Sequence, residues 1–118
     1  MIPAMTRVLL VDDESDLADL MANQLTRAGF DVRCADALLS AQAITKSEKF
    51  DVLVTDFNLP DGDGVDVAKS LGIPICLAVT GSSADADTKR MIGAGFAKVL
   101  VKPVTASQLV AAIKAAIG

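Results

Sequence analysis

Short apolar runs recur along the chain, and each of them ends in polar side chains. Runs of four to six hydrophobic positions bounded by turn formers are typical of strands buried on both faces. Four of the runs end in residues that can act on a phosphoryl group: Val8–Val11 before Asp12 and Asp13, Val52–Thr55 before Asp56, Ile75–Val79 before Thr80, and Lys98–Val101 before Lys102. As neighbouring parallel strands, they would bring these groups to one sheet edge and form a phosphoryl-transfer site.

Segments whose apolar residues have helical spacing separate the strands, and Gly29 and Gly95 are predicted to end two of these helices. Asp36 is predicted to cap the second helix, and Thr105 with Gln108 forms a capping-box pattern before the last one. The positions predicted to face inward are Leu17, Leu20, Met21 and Leu25, then Ala37, Ala41 and Ile44, then Val65, Ala68 and Leu71, then Thr88, Met91 and Ile92, and finally Leu109, Ile113 and Ile117.

Five strands alternating with five helices predict an α/β fold in which helices cover both faces of a parallel sheet. Asp31–Ala35 is predicted to be the second strand, and residues 58–64 form a loop dense in turn formers. We expect a single domain over residues 1–118, with residues 1–5 as a flexible N-terminal tail. Ligands of such folds bind beyond the carboxyl ends of the strands, where the polar groups lie.

Composition and charge narrow the classes of partner. Hydrophobic residues make up 52% of the chain and charged residues 22%, which favours a folded domain. The net charge is −4, and the basic residues form no run, so direct nucleic-acid binding is not expected. The apolar runs are shorter than the roughly 18 residues that span a bilayer, and no signal-peptide core precedes Asp12. We therefore expect a cytoplasmic protein that does not bind membranes.

Histidine and cysteine usage excludes several chemistries. The chain contains no histidine, which rules out a Ser-His-Asp triad, a histidine-ligated zinc site and a histidine phosphoacceptor within it. Cys34 and Cys76 are isolated in apolar stretches and are predicted to be reduced core residues. A metal bound here would be a hard ion with oxygen ligands.

The predicted site has an excess of negative charge. Three carboxylates held within a few ångströms repel one another by about 4 kcal/mol per pair at an effective dielectric near 20. Lys102 cancels one charge of the three, and a single divalent cation would balance the remaining −2. Mg²⁺ fits best, because it prefers carboxylate and water oxygens. A calcium EF-hand fits poorly, because Asn58 and Pro60 break its spacing and its twelfth position, counted from Asp56, is Val67.

Four motifs, in this order, resemble the receiver domains of two-component response regulators, the CheY-like superfamily. They are Leu-Leu-Val-Asp-Asp-Glu at 9–14, Val-Thr-Asp-Phe-Asn-Leu-Pro-Asp-Gly-Asp-Gly at 54–64, Val-Thr-Gly at 79–81 and Val-Lys-Pro at 101–103. The resemblance covers the chain beyond its first five residues. It implies a flavodoxin-like, doubly wound (βα)5 sandwich with a five-stranded parallel sheet of order 2-1-3-4-5.

The resemblance also implies a role for each matching residue. Asp56 would accept a phosphoryl group from a histidine kinase or a histidine phosphotransfer protein, and the domain would catalyse only its own phosphorylation and dephosphorylation. The implied catalytic residues are Asp56, Lys102 and Thr80, the phosphoryl-binding groups are Thr80, Gly81 and Lys102, and the Mg²⁺ ligands are Asp12 (largely through water), Asp13, Asp56 and the backbone carbonyl of Asn58. The donor would dock around Ser15–Leu20 and Pro103–Val104, and the Lys102–Pro103 peptide is predicted to be cis.

One position departs from the family pattern, and two alternatives remain. Most of the family has Tyr or Phe where this chain has Val99, so a phosphorylation-independent protein-interaction module on the same fold is one alternative. A dehalogenase-type hydrolase is the other, but it would need Asp at 58 and Thr at 60, where Asn58 and Pro60 stand. Taken singly, each motif also fits an ordinary turn or helix start. The downstream partner, and whether this is a stand-alone regulator or part of a longer protein, are left open.

Overall fold

The computed structural model describes residues 5–81 and 85–118, with only the backbone for residues 85–87. Apart from Met5, the predicted N-terminal tail lies outside these ranges. The helices are α1 (Ser15–Arg27), α2 (Leu38–Thr45), α3 (Gly64–Leu71), α4 (Asp85–Gly93) and α5 (Ala106–Ile117). The strands are β1 (Arg7–Val11), β2 (Asp31–Ala35), β3 (Val52–Asp56), β4 (Asn58–Leu59), β5 (Gly62–Asp63), β6 (Ile75–Thr80) and β7 (Lys98–Val101).

The main sheet is parallel and has the order β2-β1-β3-β6-β7. Numbered by themselves, its five strands follow the predicted flavodoxin-like order 2-1-3-4-5, so the fold prediction is confirmed. The register aligns the carboxyl ends of the strands: Val11 pairs with Thr55, Asp56 with Val79, and Thr80 with Val101. Polar residues that end or follow these strands are therefore brought to one edge.

Alternate residues of the strands face two separate core layers. Val8 and Leu10 of β1 pack in the layer beneath α1 and α5, while Leu9 and Val11 pack in the layer beneath α2, α3 and α4. This alternation follows from the two-residue period of a strand and explains why the strands are apolar almost throughout. Within the described residues, no helix is long and apolar enough to cross a membrane.

The helix boundaries agree with the glycine and capping signals. Gly29 and Gly95 follow α1 and α4 with φ of 103° and 100°, a left-handed conformation that glycine adopts without steric cost. The Thr105 hydroxyl accepts a hydrogen bond from the Gln108 backbone amide at 3.1 Å, as the capping box predicts. The Lys102–Pro103 peptide is cis, as predicted.

The inward faces of three helices are narrower than the hydrophobic pattern predicted. On α1, Leu17 and Leu20 are exposed, and Ala18 and Leu25 are the buried residues. Ile92 of α4 and Ile117 of α5 are also exposed. Helices that lie flat on a sheet bury only the stripe nearest to it, so the flanking leucine and isoleucine positions face solvent.

Two local predictions for the loops are wrong. Asp36 does not cap α2, which begins after Ala37 without a hydrogen bond from an N-cap side chain. Residues 58–64 are not wholly irregular, because β4 and β5 form a short antiparallel hairpin in which Asn58 pairs with Asp63 and Leu59 with Gly62. Two-residue strands are too short to produce a hydrophobic alternation that a sequence can reveal.

Both cysteines are free thiols, and burial raises the pKa of each one. Cys76 is buried in the core as predicted, whereas Cys34 is only half-buried.

Candidate functional site

Three carboxylates meet at the carboxyl edge of the sheet. Asp12 and Asp13 follow β1, and Asp56 is the last residue of β3, the neighbouring strand. One oxygen atom from each carboxylate lies within 4.8 Å of the others. Asp56 is 8% exposed, Asp12 is half-buried and Asp13 is exposed, so the group opens to solvent on one side. The sequence-based prediction that these side chains come together is confirmed.

Lys102 completes the charged group. Its Nζ atom donates a hydrogen bond to Asp56 Oδ2 at 2.8 Å and lies 3.9 Å from Asp12 Oδ2. Its backbone amide donates to the Thr80 carbonyl at 2.7 Å, which fixes the residue beside the end of β6. Three carboxylates and one ammonium leave a formal charge of −2 within a few ångströms.

This crowding changes the protonation equilibria of two groups. Burial alone would lower the pKa of Lys102, but the hydrogen bond and the charge of Asp56 outweigh it, and the pKa is raised. Burial raises the pKa of Asp12 although the Glu14 amide and Lys102 oppose the shift. The charged form of Lys102 is therefore stabilised, whereas the charged form of Asp12 is destabilised.

Local hydrogen bonds orient Asp12. Its backbone amide donates to the Ala35 carbonyl at 3.0 Å, which extends the ladder between β1 and β2 by one bond. Its Oδ1 atom accepts a hydrogen bond at 2.9 Å from the backbone amide of Glu14, the N-cap residue of α1. The carboxylate is thus fixed where the chain leaves the strand and enters the helix.

The other predicted site residues lie on the same edge. Thr80 is the last residue of β6 and is fully buried, and Gly81 follows it at the surface. Asn58 begins the hairpin, and its backbone amide lies 3.4 Å from Asp56 Oδ1. The structure places Thr80, Gly81 and Asn58 around the acidic group, and their individual roles stay predictions.

The loop that follows Asp56 is anchored to α2. Asp61, at the turn of the β4–β5 hairpin, accepts hydrogen bonds from the backbone amides of Leu38 and Leu39 at 2.8 and 3.0 Å. These bonds lower the pKa of the Asp61 carboxyl. They occupy amides that the first turn of a helix leaves without internal partners. Asp61 therefore does for α2 what was predicted for Asp36.

The same loop is also anchored to α3 and α4. The Asp63 carboxylate caps α3 by accepting from the Asp66 amide at 2.9 Å, and it pairs with Arg90 of α4 at 2.9 Å. Burial alone would raise the pKa of the Asp63 carboxyl, but these two partners outweigh burial and lower the pKa. The Arg90 guanidinium also lies 5.7 Å from the ring centre of Phe57, the residue after Asp56. Sequence reasoning missed Arg90, because no local pattern pairs a helical arginine with a distant cap.

Gly64 permits close packing behind the end of β3. A Cβ atom there would lie 3.2 Å from the Asp56 carbonyl oxygen and 3.3 Å from the Phe57 Cα. Both are backbone atoms, which move only with the strand. The absence of a side chain at Gly64 therefore lets α3 begin directly against the end of β3.

Position 99, where the family pattern has an aromatic ring, is filled by a small side chain. Val99 is half-buried, pairs with Ala78 of β6 and packs against the core layer beneath α2, α3 and α4. An aliphatic side chain, and not a ring, therefore takes part in the packing at this position.

The fold and the acidic pocket define a doubly wound α/β domain with a ligand site at the carboxyl ends of its strands. Residues 8–114 match the family described as the response regulator receiver domain. The chain therefore belongs to the receiver domain family of two-component response regulators.

Individual relatives agree with this assignment. The transcriptional regulatory protein PrrA of Mycobacterium tuberculosis is 37% identical over 116 residues, which cover 92% of this chain and 48% of PrrA. The chain thus spans about half the length of this curated relative.

Solved structures show the same fold. A response regulator receiver domain protein from Clostridium thermocellum has a TM-score of 0.87 at 27% identity, and the match covers 96% of this chain and 94% of that one. A response regulator from Burkholderia pseudomallei, solved with a phosphorylated aspartic acid, a calcium ion and citrate, has a TM-score of 0.81 at 25% identity. That match covers 91% of this chain and 65% of the other.

Proposed function

We propose that Asp56 accepts a phosphoryl group from the phosphohistidine of a histidine kinase or a histidine phosphotransfer protein, and that the modified domain changes its affinity for a partner protein. The single observation that supports this proposal best is the position of the Asp56 carboxylate. It is 8% exposed at the end of β3, hydrogen-bonded to Lys102 and grouped with two other carboxylates. The phosphorylated aspartic acid in the Burkholderia pseudomallei relative agrees with it.

The residues of the pocket suit the steps of such a transfer. An oxygen of Asp56 attacks the phosphorus, and the bond from phosphorus to the histidine nitrogen breaks. Lys102, whose ammonium already contacts Asp56, pairs with the incoming phosphoryl oxygens. The Thr80 hydroxyl and the Gly81 amide lie at the end of the neighbouring strand and supply further donors. The chemistry is confined to the domain's own phosphorylation and dephosphorylation.

The donor set of the pocket fits a hard divalent cation. Its side-chain ligands are carboxylates, grouped within 4.8 Å, and they carry more negative charge than Lys102 neutralises. We assign the ligands of Mg²⁺ to Asp12, largely through water, to Asp13 and Asp56, and to the backbone carbonyl of Asn58. When bound, Mg²⁺ neutralises charge on the transferred phosphoryl group.

The exposed side of the pocket suits a protein donor. Leu17 and Leu20 of α1 face solvent beside Asp13 and Glu14, and Pro103–Val104 lie across from them. Contiguous exposed apolar side chains with a polar rim mark protein-binding surfaces, and Leu17, Leu20 and Pro103 are exposed here. This surface comprises the Ser15–Leu20 and Pro103–Val104 segments, to which we assign donor docking.

Acetyl phosphate tests the proposal. Incubation with Mg²⁺ and acetyl phosphate should add the mass of one phosphoryl group, in an adduct that is stable in acid and labile in base. Asp56→Asn should not be labelled, whereas Asp51→Asn, a matched change at the opposite end of β3, should be labelled like the natural protein. Labelling of Asp56→Asn to the same extent would contradict the assignment of the acceptor.

Val99 favours the alternative of an interaction module that works without phosphate. In that case the protein would bind its partner with the same affinity before and after treatment with acetyl phosphate. No labelling of Asp56 by any donor in the presence of Mg²⁺ would also support this alternative. Steady release of phosphate from many unrelated esters would instead indicate a hydrolase.

A further inference from the structure

An apolar cavity adjoins the acidic pocket between α1 and α5. It has a volume of about 400 Å³, and its walls include the ends of β1, β3 and β6. The apolar side chains that line it include Leu17, Met21, Val54, Val79, Val104 and Leu109. Gly81 and Lys102 line it as well, and the Lys102 Nζ atom lies 2.8 Å from Asp56. The cavity therefore begins where a phosphoryl group on Asp56 would have its oxygens.

We propose that this cavity binds the acyl group of an acyl phosphate, so that the domain accepts phosphoryl groups faster from acyl phosphates with a short apolar chain than from acetyl phosphate. The inference rests on the proposed function, because it takes Asp56 as the acceptor. A largely apolar concavity with a few convergent polar groups is typical of small-molecule sites, whose volumes begin near 300 Å³.

Charge distinguishes the two ends of this ligand. Lys102 and the Gly81 backbone lie beside the acceptor and match the phosphoryl oxygens, whereas the side chains deeper in the cavity carry no charge. Glu14 is the acidic residue in the wall, and it disfavours a second anionic group on the ligand. The chain attached to the phosphoryl group should therefore be neutral and apolar.

The transfer balances without a further reactant. An oxygen of Asp56 forms a bond to phosphorus, the bond between phosphorus and the acyl oxygen breaks, and the electron pair leaves with the carboxylate. No proton or electron is exchanged. An in-line displacement places the leaving carboxylate on the far side of the phosphorus from Asp56. Lys102, whose Nζ atom contacts Asp56, lines the cavity together with Gly81, so the departing chain occupies it by turning from the in-line direction toward these residues.

The labelling rates of acetyl, propionyl and butyryl phosphate test the proposal in the presence of Mg²⁺. The three leaving carboxylates have similar basicity, so their intrinsic reactivities match. Burial of each added methylene should raise the second-order rate constant up to about fourfold, which gives about tenfold from acetyl to butyryl. A gain below about threefold would overturn the proposal and leave the cavity to an apolar side chain of a protein donor. No labelling even by acetyl phosphate would overturn the proposed function itself.

Two matched substitutions locate the effect. Val104→Phe narrows the cavity, whereas Val101→Phe adds the same bulk to an exposed position of β7 outside it. The ratio of the butyryl rate to the acetyl rate should fall close to one in Val104→Phe and keep its natural value in Val101→Phe. Because both rates of each ratio are measured on the same protein, a reduced fraction of folded molecules lowers both rates equally and leaves the ratio unchanged. An unchanged ratio in Val104→Phe would overturn the proposal.

Discussion

Replacing Asp13 with asparagine removes one of the three clustered carboxylates without touching the contacts of Lys102. Its carboxylate has an oxygen within 4.8 Å of an oxygen of Asp12 and of Asp56. At that distance each repulsion costs about 3–4 kcal/mol at an effective dielectric of 20 and about 1 kcal/mol in water. Asp13 is exposed, so solvent screening brings the total gain from its removal to about 1–2 kcal/mol.

Thermal unfolding in EDTA and in Mg²⁺ measures this effect. In EDTA, Asp13→Asn should unfold about 5 °C above the natural protein. In millimolar Mg²⁺ the order should reverse or the difference vanish, because a cation that binds more tightly stabilises the folded state more, and the variant lacks one of the proposed ligands. Asp19→Asn, an exposed change on α1 outside the cluster, should show neither effect. An Asp13→Asn protein no more stable than the natural one in EDTA would refute the electrostatic reasoning.

Two further predictions concern the loop after Asp56. Asp61→Ala should destabilise the protein at neutral pH, because the α2 amides lose their acceptor. The pKa of Asp61 is lowered in the folded state, so the stabilisation of the fold by this carboxylate is complete above the unfolded pKa of about 3.9 and is lost as the pH falls through the lower folded value. The urea midpoints of the variant and the natural protein should therefore converge below pH 4. A difference between the midpoints that does not depend on pH would contradict this prediction. Gly64→Ala should cost about 1–3 kcal/mol and slow labelling of Asp56, because its Cβ would press on the backbone of residues 56 and 57. Gly93→Ala, which meets no atom within 4 Å, should be neutral or stabilising in the same urea titration, and equal effects of the two alanines would contradict the steric argument.

The sequence was sufficient for the sheet and for the charged part of the pocket. Buried parallel strands are apolar on both faces, so their limits appear directly as hydrophobic runs. The polar residue that ends each run then lies at a predictable edge, which is why Asp12, Asp13, Asp56 and Lys102 were predicted to meet.

Contacts between distant segments could not be predicted in the same way. The hydrogen bonds from Leu38 and Leu39 to Asp61 join residues 23 and 22 positions apart, and Asp36 beside the helix had the more obvious capping position. The ion pair of Arg90 with Asp63 likewise depends on how α4 lies against the hairpin. Hydrophobic spacing also overestimated the buried face of α1, because it does not distinguish the central stripe from its flanks.

The hairpin loop that follows Asp56 contacts three helices. Asp61 holds the start of α2, and Asp63 holds the start of α3 and the side of α4 through Arg90. One short loop is therefore joined by side-chain contacts to the ends or sides of three helices. Among the described residues, these contacts involve carboxylates, helix amides and one guanidinium, and none of them involves position 99.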